Sequence, residues 1–190
     1  MQTIRVDSPF LAAVFCLALL TPSVHAAEPT WAEVFSIFQQ RCIICHQGSA
    51  AENGLQLDTL EGLRAGSDSG PVVLPDQPAE SELLRRVRGQ SLPRMPLTGP
   101  PWLSVEDISL LERWIAAGAP DDQGKPTPIP VGARVRFEGT LTAKWELDGQ
   151  PLSVDSGTRI DKELGIGDRV EVLGVVEQQG AIRVTRLRRR

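Results

Sequence analysis

The chain has few of the side chains that most often carry catalysis or bind metals. Among its 190 residues are three cysteines, two histidines, two methionines and no tyrosine. Residues 131–190 contain no cysteine, histidine or methionine, and their carboxylates are scattered, so neither a metal site nor a catalytic nucleophile is expected there. The glycines at positions 62, 66 and 70 are not followed by Gly-Lys-Ser or Gly-Lys-Thr, which excludes a phosphate-binding loop. No repeat of solenoid or propeller length is present.

The N-terminus has the pattern of a secretory signal peptide. Arg5 gives a positive start, residues 10–20 are an unbroken apolar run, and small or acceptable residues precede a cleavage site after Ala26. A membrane anchor is the alternative, but the run is shorter than the roughly 20 residues that a spanning helix needs. We therefore expect a periplasmic or otherwise exported protein whose mature chain has no transmembrane segment and has lost Cys16 and His25.

The two cysteines and the histidine that remain lie together in the sequence Cys42-Ile-Ile-Cys45-His46. The spacing C-x-x-C-H is the attachment motif of c-type haem, in which two thiols bond to the porphyrin edge and the imidazole ligates the iron. Both thiols serve the motif, so no structural disulfide is expected. The motif predicts one covalent haem c, attached through Cys42 and Cys45, with iron bound by His46.

Met95 is the one methionine after the signal, and a thioether is a common second axial ligand in cytochromes c. Pro93 and Pro96 restrict the loop around it, which helps to hold a weak iron–sulfur bond. An ordinary core methionine is the alternative, although Pro-Arg-Met-Pro is not an apolar helix stripe. We predict Cys42, Cys45, His46 and Met95 as cofactor-binding residues, with His46 and Met95 on the iron.

Two other kinds of site also use a pair of cysteines and are alternatives for this motif. A thioredoxin-like redox motif needs a surrounding βαβ pattern, which is missing, and it leaves His46 unexplained. A zinc site lacks an obvious fourth ligand.

Helical patterns precede a stretch with four prolines, and alternating strand patterns follow it. Residues 27–120 carry a net charge of −5 (7 basic, 12 acidic), whereas residues 131–190 carry +2 (11 basic, 9 acidic), which suggests two separate units. The predicted organisation is a signal peptide at 1–26, a haem domain at 27–119, a semi-rigid, extended Pro-rich linker at 120–130 and a β-domain at 131–190.

Local signals place the elements. Helices are expected after Thr30, which forms a capping box with Glu33, over 58–65, over 78–87, and from Ser104 to about 118. Beyond the linker, alternate apolar residues from 135 to 147 predict a strand that includes Phe137 and Trp145. Asp148-Gly149 predicts a hairpin turn, and a second hairpin is expected over 170–184. Gly139 and Gly174 suggest bulges or sharp bends, and about five strands are expected in all.

These residues resemble two families. The first 90 or so mature residues resemble a class I monohaem cytochrome c, a similarity carried by Phe35 and Phe38, the Cys42–His46 motif, Gly54 to Asp58, Pro75 to Leu84, Met95-Pro96, and Leu111 to Ala119. The resemblance implies that the first and last helices cross near the haem, with Trp114 packed there. Residues 131–190 loosely resemble a small bacterial OB-like β-barrel of unassigned function, through 137–141, 152–158, 167–174 and 180–184. The fold class is multidomain α + β, an all-α domain followed by a small all-β barrel.

These features favour an exported electron-transfer protein that is not an enzyme, with the C-terminal domain docking a redox partner protein. A haem-based sensor or peroxidase-like protein, in which Met95 leaves the iron, is one alternative. A partner-binding module with an accessory cytochrome is another. Nucleic acid is not an expected partner, because the β-domain has only two aromatic residues and the protein is exported.

Arginines raise two smaller questions. Arg85, Arg86, Arg88 and Arg94 are candidates for contact with haem propionates, although a solvated helix face is the plainer reading. The terminal Arg188-Arg189-Arg190 is expected to be a frayed, solubilising end rather than a site for an anionic partner.

Overall fold

A computed structural model describes residues 28–161 and 163–190. The predicted signal peptide and its cleavage site lie outside these residues. The helical part of the structure (residues 28–119) contains four α-helices: α1 (Trp31–Arg41), α2 (Leu60–Ala65), α3 (Glu82–Arg88) and α4 (Val105–Ala116). Two short 3-10 turns, Gly48–Ala50 and Glu52–Gly54, lie between α1 and α2. None of the helices in these residues has the length and apolar character needed to span a lipid bilayer.

Capping side chains explain where the longer helices begin. Thr30 accepts from the backbone of Glu33, and the Glu33 carboxylate accepts from Thr30 N at 2.7 Å, which completes the predicted capping box of α1. Ser104 and Asp107 form the same arrangement at the start of α4. Gly89 ends α3 in the left-handed conformation, with φ 77°, which glycine adopts without steric cost.

The third helix begins four residues later than predicted. The buried Ser81 hydroxyl accepts from Leu74 N at 2.8 Å and donates to Gln77 O at 2.8 Å. These bonds tie residues 78–81 to the preceding loop, so the helix starts at Glu82. Proline at position 78 therefore precedes the helix rather than occupying its first turn.

The β part (residues 131–190) forms one six-stranded sheet with the order β3-β2-β1-β5-β6-β4. Its strands are β1 (Arg134–Ala143), β2 (Glu146–Leu147), β3 (Gln150–Pro151), β4 (Arg159–Ile160), β5 (Arg169–Val176) and β6 (Ile182–Arg189). All neighbouring strands are antiparallel except β4 and β6, which are parallel. The fold is therefore α plus β, as predicted, with six strands instead of about five.

Both predicted hairpins are present, but the long strand predicted before the first of them is interrupted. Asp148 (φ 48°) and Gly149 (φ 83°) form the predicted hairpin turn between β2 and β3, and β5 and β6 form the second predicted hairpin. The single strand expected from 135 to 147 is interrupted by a turn, in which Trp145 has φ 60°. Trp145 is therefore a turn residue packed beside the core rather than an inward strand residue.

The two strand glycines have different roles. The register of β5 and β6 shifts between Leu173 and Gly174, which confirms an irregularity at Gly174. Gly139 pairs in regular register with Val170, so a bulge at Gly139 is wrong. A Cβ atom at Gly139 would overlap the side chains of Arg85 and Asp148, and glycine is needed there for this close approach.

Two buried clusters form the cores. One joins the four helices and includes Phe38, Leu84 and Trp114. The other is formed by strand residues, with Leu74 contributed by the helical part. Leu74 is 1% exposed, so the two parts share a buried contact rather than meeting only through the linker.

The Pro-rich stretch folds back onto the helical part instead of extending away from it. Thr127 N donates to Gly118 O at 2.9 Å, and the Thr127 hydroxyl donates to Ala119 O at 2.6 Å. Asp122 accepts from Ala32 N at 2.8 Å. The polar residues between the prolines make these bonds, which composition alone did not predict.

Candidate functional site

The C-x-x-C-H motif occupies the turn that ends α1. Cys42 N donates to Phe38 O at 2.8 Å and closes the helix. Cys45 N and His46 N then both donate to Cys42 O, at 3.2 and 3.1 Å. This compact turn holds the two cysteines and the histidine on one short segment, which has its start fixed by a rigid helix.

The segment that follows braces the motif from the other side. Glu52 N donates to Cys45 O at 3.0 Å, and Leu57 N donates to His46 O at 2.8 Å. Gly48 N donates to the carboxylate of Asp58 at 3.4 Å. The two short 3-10 turns therefore return the chain across the motif and fix the backbone of both Cys45 and His46.

The motif side chains differ in environment. Cys42 is half-buried against the helical core, and burial raises the pKa of its thiol to about 11, although the charge of Arg41 lowers it in part. Cys45 is exposed, and neither thiol is in a disulfide. His46 is half-buried, and its Nδ1 atom is buried without a hydrogen-bond partner among the described residues.

Met95 lies in the loop between α3 and α4, half-buried against the same helical cluster that Cys42 contacts. Its amide donates to Arg86 O at 3.1 Å, which ties the loop back to α3. Arg41, directly before Cys42, donates to Pro101 O at 2.6 Å and links the motif to the segment after Met95. Nothing in the sequence pointed to this contact, since 60 residues separate its partners.

These residues fit a haem better than a zinc ion. Among residues 28–161 and 163–190, no group of three or more His, Cys, Asp and Glu side chains is arranged to hold a metal ion. The residues present are two free thiols, an imidazole whose buried Nδ1 atom has no hydrogen-bond partner among the described residues, and a thioether on the same helical cluster as Cys42. They match the separate needs of porphyrin attachment and iron ligation. Ile44 within the motif, and Leu92 and Leu97 on either side of Met95, are exposed apolar side chains.

The four candidate propionate arginines all have partners within the protein. Arg85 is only 2% exposed and pairs with Asp148 of the β part, so the solvated helix face that was favoured for these arginines is wrong at Arg85. The others bind Glu82, Glu112 and the Trp102 ring respectively: Arg86 at 2.6 Å, Arg88 at 2.6 Å and Arg94 at 4.1 Å from the ring centroid.

Trp114 is fully buried on α4, which packs against α1. Its ring centroid is 6.0 Å from that of Trp31, and its Nε1 donates to Pro120 O at 2.9 Å. It therefore joins the first and last helices and also fixes the chain that leaves α4.

A protein-family model described as Planctomycete cytochrome C matches residues 42–98. The match begins at the first motif cysteine and ends just beyond Met95, and it supports a cytochrome c-like domain with covalently bound haem c and iron. No curated protein and no solved structure matches the chain.

Proposed function

We propose that this chain is an exported electron-transfer protein with one haem c. Cys42 and Cys45 would form the two thioether bonds, and His46 and Met95 would be the axial ligands of the iron. The haem supplies reversible one-electron chemistry between ferric and ferrous iron. The protein residues would hold the group and, with both His46 and Met95 bound, would leave no position on the iron open for a substrate.

One observation carries this proposal above the others. Two regions separated by about 50 residues of sequence, the motif turn and the Met95 loop, both pack against one helical cluster through Cys42 and Met95. A second axial ligand has to come from a segment other than the motif, and the Met95 loop is such a segment, held on α3 by its own hydrogen bond. Methionine opposite histidine raises the potential of the iron, which suits a carrier of single electrons.

We propose that the β part is an OB-like barrel and that it docks a redox partner protein. The long β1 strand pairs with β2 at one end and with β5 along most of its length. Parallel pairing of β4 with β6 brings the last strand beside the middle of the β part. This arrangement is compatible with a partly open five- or six-stranded barrel. The absence of chemistry-bearing residues in positions 131–190 favours a binding role.

The test is an optical redox titration of protein produced in a haem-maturing host, together with its intact mass. We expect one haem per chain, a ferric charge-transfer band from methionine–iron bonding, and no CO binding by the reduced form. Ready binding of CO or peroxide at neutral pH would favour the sensor or peroxidase-like alternative. A colourless protein with the mass of the bare chain would contradict haem attachment altogether.

A further inference from the structure

We propose that the β part positions the axial methionine, through Ser91 and Arg169, by holding the loop that carries it. The inference rests on the proposed ligation by Met95. It gives the β part a role at the iron that its own residues, which include no candidate ligand, do not suggest. The loop concerned, residues 89–96, is called the methionine loop below.

Ser91 is the central contact. It lies four residues before Met95, is fully buried, and accepts from Glu138 N of β1 at 3.0 Å. Its hydroxyl donates to the Glu82 carboxylate of α3 at 2.7 Å. Ser91 therefore connects the first turn of α3 to a strand of the β part, and its bond to the strand is buried while its bond to Glu82 is partly buried.

The strand uses its backbone for this contact. Glu138 is in register with Glu171 of β5, but its amide donates to Ser91 and its carbonyl accepts from Arg85 Nε at 2.8 Å. Both backbone groups of Glu138 therefore bond to the helical part. The edge of β1 at this point is covered by α3 and the methionine loop, which satisfies groups that an exposed strand edge would leave open.

A second strand reaches the neighbouring residue. Arg169 of β5 donates from Nη2 to Gln90 O at 2.6 Å. Gln90 N and Ser91 N both donate to Arg85 O, at 2.9 and 3.2 Å. The first half of the methionine loop is thus fixed by α3 on one side and by two strands on the other.

The remaining loop is short and also anchored. Met95 N bonds to Arg86 O, and Arg86 donates from Nη1 to Pro93 O at 3.3 Å. Release of a weak thioether ligand requires the loop to move. Contacts that fix Gln90 and Ser91 therefore oppose release of the Met95 thioether, because they limit the movement of the segment that connects Met95 to α3.

The experiment measures imidazole binding to the full-length, haem-loaded ferric protein, since imidazole takes the iron position only after methionine leaves. Ser91→Ala leaves the buried Glu138 amide without its acceptor and Glu82 Oε2 without its donor, although Arg86 still binds the other carboxylate oxygen. Arg169→Met removes the bond to Gln90. Each is expected to raise the apparent imidazole affinity about tenfold. Arg169→Lys keeps a cationic donor and should restore an affinity within about twofold of wild type.

Gln77→Ala is the matched control. The Gln77 side chain also donates across the two parts, to Gly180 O, but its bond is to a residue outside the methionine loop. The Gln77→Ala variant should therefore bind imidazole with the same affinity as wild type. Equal affinities for wild type, Ser91→Ala and Arg169→Met would overturn the inference, and so would an equal rise in Gln77→Ala. If Ser91→Ala fails to load haem, Arg169→Met decides the matter.

Met95→Ala separates this inference from the proposed function. If wild type binds imidazole as tightly as Met95→Ala does, Met95 is not an iron ligand and both proposals fall. If Met95→Ala binds much more tightly than wild type while the loop variants do not, axial ligation stands and the positioning role alone is wrong.

Discussion

The ion pair between Arg85 and Asp148 joins the two parts of the chain, and Asp148→Asn is the sharpest test of its importance. Arg85 is 2% exposed, and burial lowers the pKa of its guanidinium while the charge of Asp148 opposes that effect. Asparagine has nearly the same size and tolerates the left-handed backbone of this turn position. The substitution therefore removes the charge with little effect on the hairpin.

The geometry explains why asparagine cannot replace the carboxylate. Asp148 accepts from Arg85 through Oδ2 and from Thr140 N through Oδ1 at 3.1 Å. An amide offers one oxygen, so its NH2 group must face either the guanidinium or the Thr140 amide. Loss of one partner of a buried ion pair costs about 3–5 kcal/mol. Because Asp148 is 17% exposed and water can reach it, we expect about 3 kcal/mol of destabilisation.

Arg85→Met is expected to cost less, about 2 kcal/mol, because Asp148 keeps its bond to Thr140 and gains water. The carbonyls of Glu138 and Ala79 each lose a donor in this variant. The double variant should be no less stable than Asp148→Asn alone, since no unpaired buried charge remains. Additive losses in the double variant would contradict this reasoning.

The assay is urea unfolding of the full-length, haem-loaded protein, followed by circular dichroism. Glu177→Gln is the control, because Glu177 and Arg183 form a surface ion pair in which both side chains are 49% exposed. It should change the free energy of unfolding by less than about 0.5 kcal/mol. An Asp148→Asn variant as stable as this control would refute the importance of the interdomain pair.

Three further predictions follow from the site and from two buried carboxyls. Met95→Ala should remove the ferric charge-transfer band and lower the midpoint potential, and an unchanged spectrum would exclude Met95 as a ligand. Burial raises the pKa of Glu171, but hydrogen bonding from Arg188 and the charge of Arg136 outweigh it and lower the pKa below 4.5. Its stabilising effect is therefore complete above pH 4.5 and lost on acidification, so Glu171→Gln should flatten the fall in unfolding free energy between pH 5 and 3. Burial raises the pKa of Glu82 above 4.5 despite its bond from Ser91, so its stabilising effect is present below pH 4.5 and lost as pH rises. The free energy of unfolding of Glu82→Gln should consequently rise relative to that of wild type between pH 4 and 7, a change opposite in sign to that of Glu171→Gln. If the unfolding free energies of the two variants followed parallel curves with pH, the opposite pKa shifts of Glu82 and Glu171 would be wrong.

Local signals in the sequence predicted the helices and turns well. The capping boxes at Thr30 and Ser104, the stop at Gly89 and the turn at Asp148 all depend on side chains within a few residues of the backbone they satisfy. The haem motif is predictable for the same reason, because its chemistry requires a fixed spacing over five residues. The candidate site was therefore visible as a list of residues, and its axial assignment stays a prediction.

Long-range polar contacts could not be predicted in this way. Arg85 lies on a charged stretch of α3 that has the composition of a solvated face, yet its partners are 53 and 63 residues away, and one of them is a backbone carbonyl. Ser91 gives no signal either, since a serine in a loop is ordinary and its partner is the amide of Glu138. Backbone acceptors and donors are the same at every position, so a sequence does not show which of them a distant side chain will reach.

Long-range ion pairs also change how the uneven charge of the two parts is interpreted. A net −5 followed by a net +2 predicted two separate units, and the short Arg-rich terminus was separately expected to be frayed. In the structure that basic end is strand β6 and the residue after it, and Arg190 bonds to Glu171 at 2.5 Å and to Glu138 at 2.9 Å. Glu138 is also the residue whose backbone holds Ser91 and Arg85. The Arg190 guanidinium therefore pairs with the strand that supports the methionine loop. The two parts pack together through Leu74 and Arg85, although the charge difference had predicted two separate units.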